Sequence, residues 1–534
     1  MLKFYLLYLQ LIGFHPWENL ALAAFVIIPL QQKIWRVMRA LIAVPAALLL
    51  FYYDSWFPPL GRVLSQATQL QHFSLNYWGE LLGRLVDYQV VAIAVVICAV
   101  YLLITRWVRV GLWILIALCV MPFASMNPAG VSPVNSISVA SAKITSGPSS
   151  AKIVAARDLN TKLSQQLAEF YEQEKQRVVH FDPLIEDDEP FDILMIHVCS
   201  LSWDDLEFTG LLNHPLWRRF DVLLNNFNTA ASYSGPAAVR ILRASCGQPS
   251  HLDLYTDAPQ QCYLFDNLKS LGFDSELAMN HDGHFDDFSG LIRARGKLNA
   301  TALSLQDMAA VQHGFDGSPI FSDKAVLQRW LDQRSLSDRA RTATFYNTIS
   351  LHDGNRLAGR NAGLNSLENF KPRMRQLLDD LNSFIDTLER SERRVALILV
   401  PEHGAAMRGD KIQIAGLREI PSPKITHGPA AIKMIGAGLS GRHAPVQIEE
   451  PTSYLAIAEL IRRLIKDNPF TQGDYDPAVL ARELPVTRSV SANEGTVVMG
   501  TESGFHLQLT EGDWVQYPGD RQPIVPDYQR LGAK

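Results

Sequence analysis

Apolar positions along the chain fall into two regimes. Up to residue 126 they form long apolar runs at 17–30, 40–53, 88–105 and 110–126, close to the ~17–25 residues with which a helix crosses hydrocarbon. A shorter run at 2–14 is a candidate fifth span, so residues 1–126 read as a helical transmembrane domain of four to five spans. Beyond it, short apolar runs alternate with amphipathic stretches, as in a soluble domain. Between the regimes, NPAGVSPVNSISVASAKITSGPSS is rich in Ser, Pro and Gly and has no apolar period, so 127–157 reads as a flexible tether. Helical spacing returns at 158–176, with Leu159, Leu163, Leu167 and Phe170 on one side and Asp158 as N-cap candidate. The outer domain is therefore expected over 158–534.

Basic residues orient the spans, because Lys and Arg are retained on the cytoplasmic side. Lys33, Arg36 and Arg39 separate the first two strong runs, and Arg106 with Arg109 separates the last two. With both turns cytoplasmic, the run ending at residue 126 exits outward. Crossing by 2–14 then places the N-terminus inside, whereas an interfacial helix there places it outside. No basic n-region followed by a small-residue cleavage site marks a cleaved signal peptide. Segment 58–84 is amphipathic and suits the outer membrane surface.

In the outer domain, DILMIHV (192–198), ATFYNTISL (343–351), VALILV (395–400) and AAIKMIG (430–436) have the continuous apolar character of strands buried on both faces. Helix-length segments separate them, which predicts an α/β domain with a mostly parallel sheet. Such sheets place binding sites at the carboxyl ends of their strands. Three of these runs end in polar residues able to hold a metal: Cys199 and Ser200, His352 and Asp353, and Glu402 and His403.

Charge and cysteine content narrow the chemistry. Forty-nine basic against 54 acidic side chains give no nucleic-acid footprint. Of the five cysteines, Cys98 and Cys119 lie within spans. In an oxidising compartment two of the remaining three should pair, and Cys246 with Cys262 are nearest in sequence, a closure worth ~3 kcal/mol on the chain-entropy model. Cys199 is then left over, either as a buried free thiol or as a thiolate bound to zinc. Glu402 and His403 would complete three zinc ligands, leaving a fourth position to Ser234 or substrate. Neighbouring strand residues face opposite ways, so this requires the backbone to turn at Glu402, between Pro401 and Gly404. Ser234 of SYSGP lies at or near a helix N-terminus, where backbone N–H groups favour anions. It could serve there as an N-cap alone, or as a nucleophile activated by the cation. His352 is placed to protonate a leaving group or steady a phosphate. His281, His284 and His427 have weaker claims, although HDGHFDD (281–287) has the look of a metal-rich loop.

Taken in order, CSLSW, NTAASYSGPAAVR, RASCGQ, CYLFDNL, GFDGSP, ATFYNT with LHDGN, VPEHG and GLREIPSP resemble the cellulose phosphoethanolamine transferases, the G subunit of bacterial cellulose secretion machinery. The resemblance covers nearly the whole chain except the tether. It implies an alkaline-phosphatase/sulfatase-like α/β/α domain in the periplasm, carried by a multi-pass inner-membrane domain. By motif it makes Cys199, Ser234, Glu402 and His403 the Zn2+ ligands and Ser234 the nucleophile. It also makes His352 a catalytic or phosphate-contacting group, and matches Cys246–Cys262 to a family disulfide. The wider superfamily commonly has a carboxylate, a threonine and Asp-His where this chain has Cys, Ser and Glu-His, and each departure agrees with the cellulose branch. The implied reaction moves phosphoethanolamine from phosphatidylethanolamine to glucose 6-hydroxyls of nascent cellulose through a phospho-serine, beside the cellulose synthase subunits. Competing readings are a phosphoethanolamine or phosphoglycerol transferase acting on lipid A or another glycan, and a membrane scaffold of the synthase complex. A sulfatase-like hydrolase fits less well, since the motif oxidised to an aldehyde is missing.

Overall fold

A computed structural model describes residues 2–8, 14–54, 74–85, 88–104, 116, 118 and 119, and then 150–518 apart from 185–187, 360–364, 411, 437–438, 440–444, 474 and 510–511. The chain divides into two compact units, residues 1–71 with 79–161, and 72–78 with 162–534.

In the first unit, the helix Lys33–Asp54 is long and apolar enough to cross a membrane, and among the described residues it is the one helix that meets both criteria. Ile34, Val37, Leu41, Val44 and Leu48 along it are exposed, as side chains facing lipid would be. Pro16–Ile27 is shorter, and Tyr88–Ile104 is a 17-residue apolar helix. In run 2–14 the described residues include a helix over Leu2–Tyr8, about 10 Å long at 1.5 Å per residue, and 9–13 lie outside the described residues. The Asp54 carboxylate holds both flanks of that run: Lys3 Nζ donates to Oδ2 at 2.7 Å, and the His15 backbone N–H donates to Oδ1 at 3.1 Å. Run 110–126 apart from 116, 118 and 119, and the tether over 127–149, lie outside the described residues.

In the second unit, the alternation of side chains along each strand builds a sheet with a core on both faces. The strands are β1 (Asp192–Val198), β2 (Val222–Asn228), β3 (Asp274–Met279), β4 (Ala310–His313), β5 (Pro319–Phe321), β6 (Thr342–Thr348), β7 (Arg356–Leu357), β8 (Val395–Pro401), β9 (His427–Ile435), β10 (Val446–Ile448), β11 (Val490–Asn493), β12 (Thr496–Thr501), β13 (Gly504–Leu509) and β14 (Val515–Gln516). Seven of them form the central sheet in the order β10-β2-β9-β8-β1-β6-β3. Ile193 and Met195 of β1 face one core with Ala238 and Ile241 of the helix Ser234–Leu242 and with Leu460 of Tyr454–Lys466. Leu194, Ile196 and Val198 face the other, with Leu206 of Trp203–Thr209 and Leu377 of Ser366–Arg390. The result is the expected α/β/α layering.

The sheet is mostly parallel, with one exception. AAIKMIG lies in β9, which runs antiparallel to both β2 and β8. At the amino end of β1, buried Asp192 accepts from Arg334 Nε and Nη2 at 3.0 and 2.9 Å, and from Arg393 Nη2 at 2.9 Å. The long helix Ser366–Arg390 starts with a capping box between Asn365 and Glu368. The first helix of the outer region is Ser150–Lys175, eight residues longer at its start than its apolar spacing indicates. Its Leu163 and Phe170 pack on Val490, Met499 and Trp514 of the antiparallel β11–β14 sheet, which the sequence reading missed. Cys246 and Cys262 are disulfide-bonded, and Cys199 is a buried free thiol.

Candidate active site

Parallel pairing of β1 with β8 sets Val198 opposite Pro401, so both strands end at the same level. Cys199 follows β1. Glu402 and His403 follow β8, where the chain leaves the sheet: Glu402 N–H donates to Val198 O at 2.9 Å, and Gly404 N–H donates to Ile425 O at 2.6 Å. The turn that both ligands require is therefore present. Ser200, in the left-handed region at φ +65°, turns the other strand end, and Leu201 N–H donates to His403 O at 2.7 Å. Ser234 is the first residue of the helix Ser234–Leu242, preceded by Tyr233 at the N-cap, so it does not act as the cap itself.

These elements bring four predicted residues together. Donor atoms of Cys199, Glu402 and His403 lie within 4.8 Å of one another. Cys199 Sγ is 3.9 Å from His403 Nε2, and Ser234 Oγ is 3.5 Å from Cys199 Sγ and 3.4 Å from His403 Nε2. Ligands on a tetrahedral zinc, bonded at about 2.0–2.3 Å, stand roughly 3.3–3.8 Å apart. His403 donates its Nδ1 proton to Gly404 O at 2.9 Å, which leaves the Nε2 lone pair facing the group. Glu402 Oε2 is buried and has no hydrogen-bond partner, an acceptor positioned for a cation. Soft thiolate, imidazole and carboxylate donors suit zinc.

Burial sets the protonation of the group. It pushes the Cys199 thiol up to about 12, with the Glu402 carboxylate adding to the effect. It pulls His403 down to about 3, with help from the Arg418 guanidinium, so the ring is neutral. Burial would raise Glu402, but His197, His403 and the Ser234 hydroxyl together outweigh it and bring the carboxyl down to about 2.

His352 faces the same edge. Among the described residues no hydrogen bond joins it to the other four. Its Nδ1 donates to Asp353 O at 2.7 Å, and burial with Arg418 nearby lowers it to about 4, leaving Nε2 as a proton acceptor. The Arg373 guanidinium holds its loop by donating to Ser350 O at 2.8 Å and His352 O at 3.0 Å. The Phe315 ring lies 5.1 Å from that of His352, and Tyr77 Oη, in the same compact unit, donates to Asp353 Oδ2 at 3.1 Å. Tyr77 comes from the amphipathic segment 58–84, of which 58–73 lie outside the described residues.

The sequence reading missed Arg418 and Tyr233. Arg418 Nη1 is 3.4 Å from His403 Nε2, and its guanidinium lies over the Tyr233 ring at 5.6 Å. It brings positive charge to the edge of the donor group. GLREIPSP was visible as a motif, but without a strand run beside it nothing tied its arginine to the sheet edge. Of the weaker candidates, His284 pairs with Asp282 and Asp316 at the surface, and His427 bonds Ser489. His281 bonds Asn347 and is not one of the grouped donors.

Comparison with known proteins finds relatives over most of the chain. Residues 1–123 match the family described as cellulose biosynthesis protein BcsG N-terminal domain, and residues 148–514 match its C-terminal domain. The chain is 38% identical to the cellulose biosynthesis protein BcsG of Escherichia coli (strain K12), over 97% of this chain and 95% of that protein. Identity and coverage are the same for the BcsG of Salmonella typhimurium (strain LT2). Among solved structures, a protein in the alkaline phosphatase superfamily from Vibrio parahaemolyticus is 14% identical with a TM-score of 0.47, covering 66% of this chain and 87% of that one.

Proposed function

The chain belongs to the family of cellulose biosynthesis protein BcsG, and from that premise we propose that it transfers phosphoethanolamine from phosphatidylethanolamine to glucose 6-hydroxyls of nascent cellulose. The observation that carries the reading is the place of Ser234: its hydroxyl opens a helix and lies within 3.5 Å of both Cys199 Sγ and His403 Nε2. Cys199, Glu402 and His403 would hold a zinc ion, with Ser234 at the fourth position. When bound, zinc lowers the pKa of the serine hydroxyl and offsets phosphate charge.

Ser234 Oγ forms a bond to phosphorus as the bond from phosphorus to the diacylglycerol oxygen breaks. The serine proton passes to water, and the departing oxygen takes a proton by way of His352. In the second half, the glucose 6-hydroxyl oxygen bonds to phosphorus, the serine–phosphorus bond breaks, and the 6-hydroxyl proton passes through water to Ser234. Arg418 and the N–H groups of the first helical turn offset charge on the phosphoryl oxygens.

The chain would be anchored in the bacterial inner membrane by several spans, with the second unit in the periplasm beside the cellulose synthase subunits. The basic residues between the apolar runs and the Cys246–Cys262 bridge support this placement.

Intact mass of the full chain in detergent, incubated with phosphatidylethanolamine and Zn2+, tests the reading. A phosphoethanolamine adduct is expected on the parent, absent from Ser234→Ala and prevented by chelator. Product analysis with cellulose and with lipid A separates the acceptors. A parent that holds Zn2+ yet forms no adduct would refute the donor and the covalent route together.

A further inference from the structure

We propose that Asn347 and His281 are positioning residues that hold Glu402 as a one-oxygen metal ligand, its Oε1 occupied by hydrogen bonds and its Oε2 presented to the ion. The proposal rests on the reading of Cys199, Glu402 and His403 as a metal site. The terminal torsion of a glutamate is soft and roughly two-fold, so an unrestrained carboxylate can offer either oxygen or both.

Here the two oxygens are unlike. Oε1 accepts from Asn347 Nδ2 at 2.6 Å and lies 3.2 Å from His197 Nδ1. Oε2 has no hydrogen bond within 3.5 Å among the described residues and lies 3.8 Å from His403 Nε2, on the side of the donor group. The register places Asn347 of β6 opposite His197 of β1 and Met279 of β3, one residue before the end of β6. From there its amide reaches Glu402.

An asparagine amide could present either its oxygen or its nitrogen to a carboxylate, and only the nitrogen donates. The loop 281–287 settles which. Gly283 N–H donates to His281 Nδ1 at 3.1 Å, so in the neutral ring Nδ1 is the acceptor and the proton is on Nε2. Nε2–H then donates to Asn347 Oδ1 at 2.9 Å, which turns the amide nitrogen toward Glu402. The direction of the chain begins at a backbone N–H, which cannot be reversed. Thus HDGHFDD reaches the metal centre without contributing a ligand. Such outer partners of metal ligands fix the orientation of the ligands, and their loss typically costs about ten- to a hundredfold in metal affinity.

The test uses the full chain in detergent, stripped of metal, with Zn2+ titrated against a chromophoric chelator and Co2+ titrated by visible absorption. Asn347→Leu removes the donor at similar volume. It is expected to weaken Zn2+ about ten- to a hundredfold and to lower the Co2+ ligand-field absorption as the carboxylate swings to two-oxygen binding. His281→Leu should move both readouts the same way by less. His281→Gln, whose amide N–H can still donate to Asn347, should recover the parent values. If Asn347→Leu does not fold, the His281 pair decides, and equal Zn2+ affinities for Leu and Gln overturn the proposal. Affinity within twofold of the parent in Asn347→Leu, with an unchanged Co2+ spectrum, overturns it as well. A parent that binds neither ion refutes the metal reading itself, an outcome distinct from a parent that binds tightly and variants that match it.

Discussion

Loading of the Cys199, Glu402 and His403 group with zinc should release one proton in a variant lacking the Ser234 hydroxyl. Without metal, the thiol is held up at about 12 by burial and Glu402, and is protonated at every working pH. His403, near 3, and Glu402, near 2, are already unprotonated above about pH 4. Coordination takes the thiolate, so between those limits each unit rise in pH should tighten binding about tenfold, or ~1.4 kcal/mol. From pH 6.5 to 8.5 the expected gain is about a hundredfold. Titration calorimetry of Ser234→Ala in buffers of different ionisation enthalpy counts the protons directly. Repeating it on the parent then shows whether the serine hydroxyl ionises as well, as a second proton. Release of no proton by Ser234→Ala would mean that Cys199 is a thiolate before the metal arrives, and two would mean that another group titrates with loading. Either count refutes this account of the pocket.

Three further outcomes follow from packing. Asp192→Ala leaves the buried Arg334 without its counter-charge and should destabilise the second unit by about 3–5 kcal/mol in denaturant unfolding, with m unchanged. Cys246→Ser with Cys262→Ser opens the bridge between positions 16 apart and should cost ~3 kcal/mol; equal melting temperatures with and without reductant in the parent would contradict it. Tyr77→Phe removes one hydrogen bond to Asp353 beside His352, worth about 0.5–1.5 kcal/mol. It should lower the transfer rate several-fold while leaving Zn2+ affinity unchanged, and an unaltered rate would deny the contact a part in holding the His352 loop.

Legibility in the sequence follows what each residue has to do. DILMIHV and VALILV are buried on both faces, and their strands fall where the apolar runs do, the second extended by Pro401. The same two-sided burial hides direction: AAIKMIG reads like its neighbours, yet β9 runs the other way because pairing, not composition, sets the sense of a strand. The run 343–351 continues past β6, which stops at Thr348, since apolar Ile349 and Leu351 serve the loop before His352. VLLNNFN carries three asparagines that break the apolar run of β2, although Asn225 is buried and bonds Glu449. Cys199, Ser234, Glu402 and His403 were readable because each stands at the end of a strong local pattern. Asn347 was not: inside ATFYNT it is one polar residue in a strand, and its task depends on His281, distant in sequence. HDGHFDD offered metal-ligating residue types, but its His281 turns toward Asn347 and its His284 toward Asp282 and Asp316.

The reversed strand has a consequence for how this enzyme family could diversify. Because β9 opposes β8, residues 402–426 leave the sheet at Pro401 and rejoin it at His427 on the same rim, without crossing a face of the sheet. Glu402 and His403 lie at the departing end of this excursion, and Arg418 lies farther along it. Gly428 fastens the returning end, where an added Cβ would meet Pro401 Cγ at 2.6 Å and Leu201 O at 2.8 Å. The middle of the excursion can therefore be lengthened, shortened or exchanged between relatives while both hinges and the strand pairing stay fixed.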